Sequence, residues 1–166
     1  MGLAGALLLL LAPACFGQYN TFLRIAGVPG ESTAAGHVGD NDATGFTLGV
    51  SNSIGGAATF PDVSVTKYVD KATPKLLLFV AQSTVIPTVT LFVQSTLPSN
   101  LDYYKVVLTN AKVTNLTDAG LVNNRPTETL TFSFQKIEID YTARNSDGSG
   151  GTPITACWDR SANAGC

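Results

Sequence analysis

Apolar side chains in this chain recur mostly at every second position, in short runs separated by Gly, Pro, Asn, Asp and Ser. That spacing is the signature of half-buried strands. Phe22-Leu23-Arg24-Ile25 is the first run, stopped by Gly27-Val28-Pro29-Gly30. Phe46 to Ser51 reads as a second strand and ends in Gly55-Gly56. Val63, Val65 and Val69 share one parity, with Ser64, Thr66 and Tyr68 on the other. Val89, Leu91 and Val93 alternate in the same way, as do Tyr104, Val106 and Leu108. Leu130, Phe132 and Phe134 then share one face, while Ile137, Ile139 and Tyr141 sit at the opposite parity. A regular strand buries only one of these sets, so Gln135-Lys136 must hold a bulge or a bend. A strand bent there can pass from one sheet of a barrel to the other.

One segment breaks the alternation. Thr73 is a good N-cap and Pro74 suits the first helical turn, so Pro74 to Gln82 is predicted as a helix. Leu76-Leu77-Leu78-Phe79-Val80 is apolar on most sides, which predicts that this helix packs into a groove. Residues 145–151 form a Gly/Ser/Asp loop, and Trp158 is expected to plug the core. The predicted fold is mainly β: a small antiparallel β-barrel of two sheets with one flanking α-helix.

The 166 residues fit one domain. Its first residues differ from the rest. Leu3 to Leu11 is apolar and Ala12-Pro13-Ala14 follows it as a cleavage pattern. The run is too short for a stable membrane span but suits a signal peptide over residues 1–17, leaving residues 18–166 as a secreted or periplasmic domain. Cys15 raises a competing reading, a lipid anchor. Against it, Ala12 stands three residues earlier, where such signals usually carry Leu. Once Cys15 is removed, Cys157 and Cys166 remain, a candidate disulfide pinning the tail or else two free thiols.

Ten basic residues balance twelve acidic ones, and no basic cluster is present to neutralise phosphates, which excludes a nucleic-acid partner. Lys67, Lys71 and Lys75 read as a solvated face. Candidate chemistry is sparse. The single histidine, His37, falls in a polar loop, and no nucleophile elbow, zinc-protease motif or phosphate loop accompanies it. Asp40-Asn41-Asp42-Ala43-Thr44-Gly45 matches half of a calcium loop, but Ser51 occupies the place of the bidentate Glu, so the segment reads as a turn. Asn115-Leu116-Thr117 is a chance sequon. These features predict no enzyme, no cofactor and no metal.

Several segments, taken in order, carry a resemblance to one known family. The first is Thr21 to Ile25 with Gly27, Pro29, Gly30, Glu31 and Ser32. The passage Val63 to Lys67 follows, leading through Asp70, Lys71 and Pro74 into the helix. Tyr104 to Val113 is similar to the family's central strand. Pro126-Thr127-Glu128 opens a strand pair that runs to Tyr141, and Trp158-Asp159 closes the match. Together these segments resemble the Hcp (haemolysin-coregulated protein) family of type VI secretion systems, and the resemblance implies a ring- and tube-forming structural protein. Its partners would be five further copies in a homohexamer, sheath and spike components of the secretion machine, and small effector proteins carried in the ring. The chain departs from the family's pattern in its leader and in the polar stretch Asp40 to Gly45. The alternative is an exported barrel of the same type acting as a periplasmic or cell-surface binding module.

Overall fold

A computed structural model describes residues 18–120 and 122–166; the predicted leader and Cys15 lie outside the described residues. The elements are β1 (Tyr19–Ile25), β2 (Asn41–Thr47), β3 (Val63–Tyr68), α1 (Thr73–Ala81), β4 (Ile86–Ser95) and β5 (Leu101–Ala119). They continue with β6 (Thr127–Ser133), β7 (Lys136–Tyr141), β8 (Ile154–Asp159) and β9 (Ala164–Gly165).

Strands β4-β1-β2-β3-β6-β5 follow one another as hydrogen-bonded neighbours, and a β4–β5 pairing closes them into a six-stranded antiparallel barrel. Its interior is filled by the alternating residues that the sequence marked, among them Leu23, Val65, Leu91, Val106, Leu130 and Phe132, each at most 3% exposed. The remaining strands, β7-β8-β9, extend from β5 as a second sheet.

β5 joins the two sheets. It is 19 residues long, because residues 101–111 pair with β4 while residues 112–119 pair with β6. β7 pairs with residues 104–109 of the same strand, so β6 and β7 lie along β5 in succession. Between them the chain bends. Asn110 adopts a left-handed conformation at φ 50°, and its amide donates to Gln135 Oε1 at 2.8 Å. The change of parity after Phe134 is thus the predicted crossing from one sheet to the other. Phe134 and Ile137 are both buried on either side of it.

Other expectations need correction. The second strand is Asn41–Thr47, not Phe46 to Ser51. Its polar start pairs with β1 because Asn41, fully buried, donates its side-chain amide to Leu23 O at 3.0 Å. The helix is Thr73–Ala81, with Ala72 rather than Thr73 at the N-cap position. Asp70 Oδ1 accepts from Ala72 N at 2.8 Å, and Thr73 Oγ1 accepts from Asp70 N at 3.2 Å, so the capping carboxylate lies two residues upstream. The helix buries only Leu76 completely; Leu77 and Leu78 are 58% and 54% exposed, so no groove encloses it. Trp158 is half-buried at the edge of the core beside Phe60 rather than plugging it.

Two ion pairs pin the second sheet: Lys105 with Asp140, and Lys136 with Asp159. Hydrogen bonds from the Lys105 and Thr155 side chains hold Asp140 below the usual carboxylate range. The Ser161 hydroxyl and then Lys136 pull Asp159 down to about 2. A carboxylate depressed on folding stabilises the fold above its unfolded value, about 3.9, and the contribution is lost as pH falls through the folded value. Thermal denaturation against pH should therefore show the midpoint falling from about pH 4 towards pH 2. The double variant Asp140→Asn/Asp159→Asn should flatten that limb; an acid limb identical in the variant and the parent contradicts the assignment.

Candidate functional site

The motif residues of the first half of the chain converge on one end of the barrel. Gly27 supplies a left-handed φ of 74°, and Gly30 sits where a Cβ would lie 2.5 Å from Asp40 O, so the loop closes only on glycine. Pro29 is exposed in this turn, and Ser32 N donates to Asp40 O at 2.9 Å. Glu31 then reaches across the fold: its Oε1 accepts from Lys71 N at 3.3 Å, and its Oε2 lies 4.0 Å from Arg125. Pro126 O accepts from Val69 N at 3.0 Å, and Thr127 and Glu128 stand opposite Tyr68 and Lys67 in the β3–β6 ladder. Trp158 and Asp159 belong to β8 and are not part of this cluster.

At its centre is Lys67, which is fully buried rather than part of a solvated face. It sits at the parity of Val63 and Val65, so its side chain enters the barrel with theirs. Its ammonium donates to Asp70 Oδ1 and to Tyr68 O, each at 2.8 Å, and lies 2.6 Å from Glu128 Oε1. The Glu128 contact is an ion contact without hydrogen-bond alignment, and both Glu128 oxygens are buried with no hydrogen-bond partner. Such a group is costly to break and gives the site one arrangement. The parity of Lys67 was the signal available in the sequence.

His37 is likewise buried, not in an open polar loop. Its ring stacks on Phe22, with centroids 4.0 Å apart, and meets the edge of the Phe92 system at 4.9 Å. Nδ1 lies 2.9 Å from Asp40 Oδ2 and Nε2 3.0 Å from Asp102 Oδ1. Arg24 donates to both Asp40 oxygens at 2.8 and 2.9 Å. Asp40 therefore closes a structural network instead of heading a turn, and the partner at Asp102, distant in sequence, left no local signal. This arrangement clamps the loop after β1 onto β5. It holds no nucleophile, and Cys157 is joined to Cys166 as a disulfide.

The surface of the half-barrel β2-β3-β6-β5 carries a different pattern. Gly45, Thr66, Thr129 and Thr117 are successive cross-strand partners, and so are Thr47, Ser64, Thr131 and Asn115. These positions face away from the core formed by Val65, Leu116 and Leu130. The Thr66 and Thr129 hydroxyls meet at 3.3 Å. Both outer strands of this half-barrel are incompletely paired. β1 and β2 pair only over residues 21–23 and 41–43, and they then fork around a cleft of about 540 Å³ lined by Tyr19, Asn20, Asp42 and Thr44. Residues 44–47 of β2 thus have no strand on that side among the described residues. At the other end, β4 stops opposite Ala111, so residues 112–119 of β5 lack a strand on the β4 side among the described residues; α1 packs on β5 as well. The outer edge of β8, in contrast, is covered at Trp158 and Asp159 by β9, which the disulfide at Cys157 holds in place.

The family model described as "Type VI secretion system effector, Hcp" matches residues 22–141, well over half the chain. This chain belongs to the Hcp family of type VI secretion proteins. It is 28% identical to Protein hcp1 of Pseudomonas aeruginosa, over 84% of this chain and 94% of that protein. It is also similar to a type VI secretion system effector from Yersinia pestis, with 28% identity and a TM-score of 0.74 over 84% of this chain and 98% of the other. A structure titled as a type six secretion system protein shares the fold at a TM-score of 0.84, with 23% identity over 90% of this chain and all of that one.

Breaking the Lys67 cluster should be expensive. Lys67→Met leaves two buried carboxylates without a cation and should cost about 3–5 kcal/mol in urea unfolding. Lys67→Met/Glu128→Leu should recover a large part of that loss. If the double variant is as unstable as the single one, the ion pairing is not what stabilises this end of the barrel.

Proposed function

We propose that residues 18–166 assemble as a closed six-membered ring, and that stacked rings form the tube of a type VI secretion machine. One observation carries this reading: a single half-barrel presents two incompletely paired flanks that differ from each other. One is the fork at β2, where Tyr19 and Phe46 are 60% and 36% exposed. The other is the β5 flank beside α1, where Leu77, Leu78 and Val85 are each more than half exposed. Unlike patches that recognise each other make a heterologous contact, which closes into a ring when the rotation per copy divides the circle. Unpaired strand edges and exposed apolar residues are what such a contact covers.

The role of the ring is mechanical, with sheath and spike components and small effector proteins as its partners. Lys67 and His37 serve the stability of the protomer, not catalysis. The apolar leader over residues 1–17 supports removal of that segment on export, with Cys157 and Cys166 oxidised in the mature protein; this route also fits the second reading, an exported binding module.

Light scattering coupled to size exclusion should give about six times the protomer mass for the mature chain. Leu77→Asp/Leu78→Asp should yield folded monomers with unchanged circular dichroism, since both side chains are exposed in the protomer. A monomeric parent at tens of micromolar contradicts the ring. A fusion of residues 1–30 to a reporter active only in the periplasm should be active; an inactive fusion removes the export route.

A further inference from the structure

We infer that the end of the barrel where β1 and β5 begin and β4 and β7 finish carries a binding site for a single carboxylate on a small apolar body. A peptide's terminal residue and a free organic acid share that chemistry. The inference belongs to one protomer and does not depend on the ring reading.

The site is built on two loops drawn together. Residues 96–100 join β4 to β5, and residues 142–153 join β7 to β8. Gly148 is left-handed at φ 87°, and a Cβ there would stand 2.8 Å from Pro98 Cγ, so the loops close on each other only with glycine. Arg144 bridges them. Its guanidinium donates to Gly148 O at 2.6 Å and to Ser99 O at 2.9 Å, and at 3.3 Å to Ser95 O and Ser99 Oγ. Every one of these acceptors is neutral, and the Nε–H group makes none of these bonds. No carboxylate pairs with Arg144 among the described residues. Its positive charge is therefore fixed in place but not neutralised.

Beside it lies a cavity of about 300 Å³, lined by Tyr19, Leu97, Tyr103, Tyr141 and Thr142 together with Arg144. The rings of Tyr19 and Tyr141 meet Tyr103 edge to face, with centroids 5.6 and 6.3 Å away. Burial and then the neighbouring phenols raise Tyr103, so its hydroxyl remains a donor in neutral solution. No acidic side chain lines the cavity. It offers one positive charge, hydroxyl donors, and apolar surface from the rings and Leu97. A carboxylate accepts from the guanidinium and the hydroxyls, while an apolar body rests on the rings. One guanidinium with most of its N–H groups already engaged matches a single negative charge, not a phosphate dianion. The volume stands at the lower end of small-ligand sites, about 300–1,000 Å³, and admits one residue or a small acid rather than a folded surface. Tyr19 is the one lining residue shared with the cleft at the β2 fork.

Saturation-transfer NMR with N-acetyl-phenylalanine tests the site on the mature chain and on the Leu77→Asp/Leu78→Asp variant, so the result is read independently of assembly. The acid should bind both, and N-acetyl-phenylalanine amide should bind at least about tenfold more weakly, the loss of one charge-assisted hydrogen bond. Arg144→Gln should abolish that preference, and Arg144→Lys should keep it. Should Arg144→Gln loosen the loops, Leu97→Asp decides: it sets a rival carboxylate beside Arg144 at a side chain that is 43% exposed, and should weaken the acid by at least about tenfold. A pentapeptide ending in phenylalanine that binds more tightly than the acid assigns the site to chain ends; equal binding assigns it to free acids. Acid and amide binding alike, no transfer to the acid at about 10 mM, or binding indifferent to both Arg144→Gln and Leu97→Asp overturns the inference while leaving the ring reading untouched.

Discussion

The structure depends on one strand being shared three ways. β5 closes the barrel against β4, continues it against β6 and carries the second sheet through β7. A straight strand could not do all three, because the side chains needed inside the barrel and those needed under the second sheet differ in parity. The left-handed turn at Asn110 opposite Phe134-Gln135 resolves the conflict, allowing Phe134 and Ile137 both to be buried. Asparagine tolerates that conformation better than a branched residue would. From this bend follows the open flank of residues 112–119, since β4 ends where β5 turns away from it.

Around this frame the chain spends its few charges at fixed points. Lys67, Asp70 and Glu128 lock the end of the barrel where α1 begins, and Arg24, Asp40, His37 and Asp102 lock the loop after β1 to β5. Buried ion pairs add little net stability against apolar replacements, but they penalise every alternative pairing. In a barrel whose strands are rich in similar Thr and Val positions, that penalty helps to set register. On β3 and β6 the charged side chains, Lys67 and Glu128, are both used inside.

Much of the fold was legible from alternation alone. The barrel, the single helix near residues 74–82 and the crossing after Phe134 all follow from parity and from Pro74. The errors share a cause. β2 begins in the polar Asn41-Asp42, and the second half of β5 runs through Thr, Asn and Asp, so neither shows an apolar rhythm; their strand character comes from neighbours distant in the chain. Lys67 was misread by residue type although its parity placed it inside. His37 was misread because its two carboxylate partners lie 3 and 65 positions away, and only folding brings them together. The family-motif residues mostly build the protomer, as Gly30 does in the loop against Asp40 and Asp70 and Glu128 do around Lys67. The surface proposed to join copies is marked instead by missing strand partners, a property no sequence pattern displays.

The ring thus rests on a single geometric claim, that the β2 edge of one copy meets the β5 flank of the next. Paired cysteines test it directly. With Cys15→Ala as background, Thr47→Cys/Thr117→Cys should cross-link under mild oxidation into a ladder that ends at six protomers on a non-reducing gel, while either cysteine alone gives at most traces of dimer. A ladder absent from the double variant, or strong dimers from Thr47→Cys alone, would show that copies meet elsewhere or by a two-fold contact and would contradict the account.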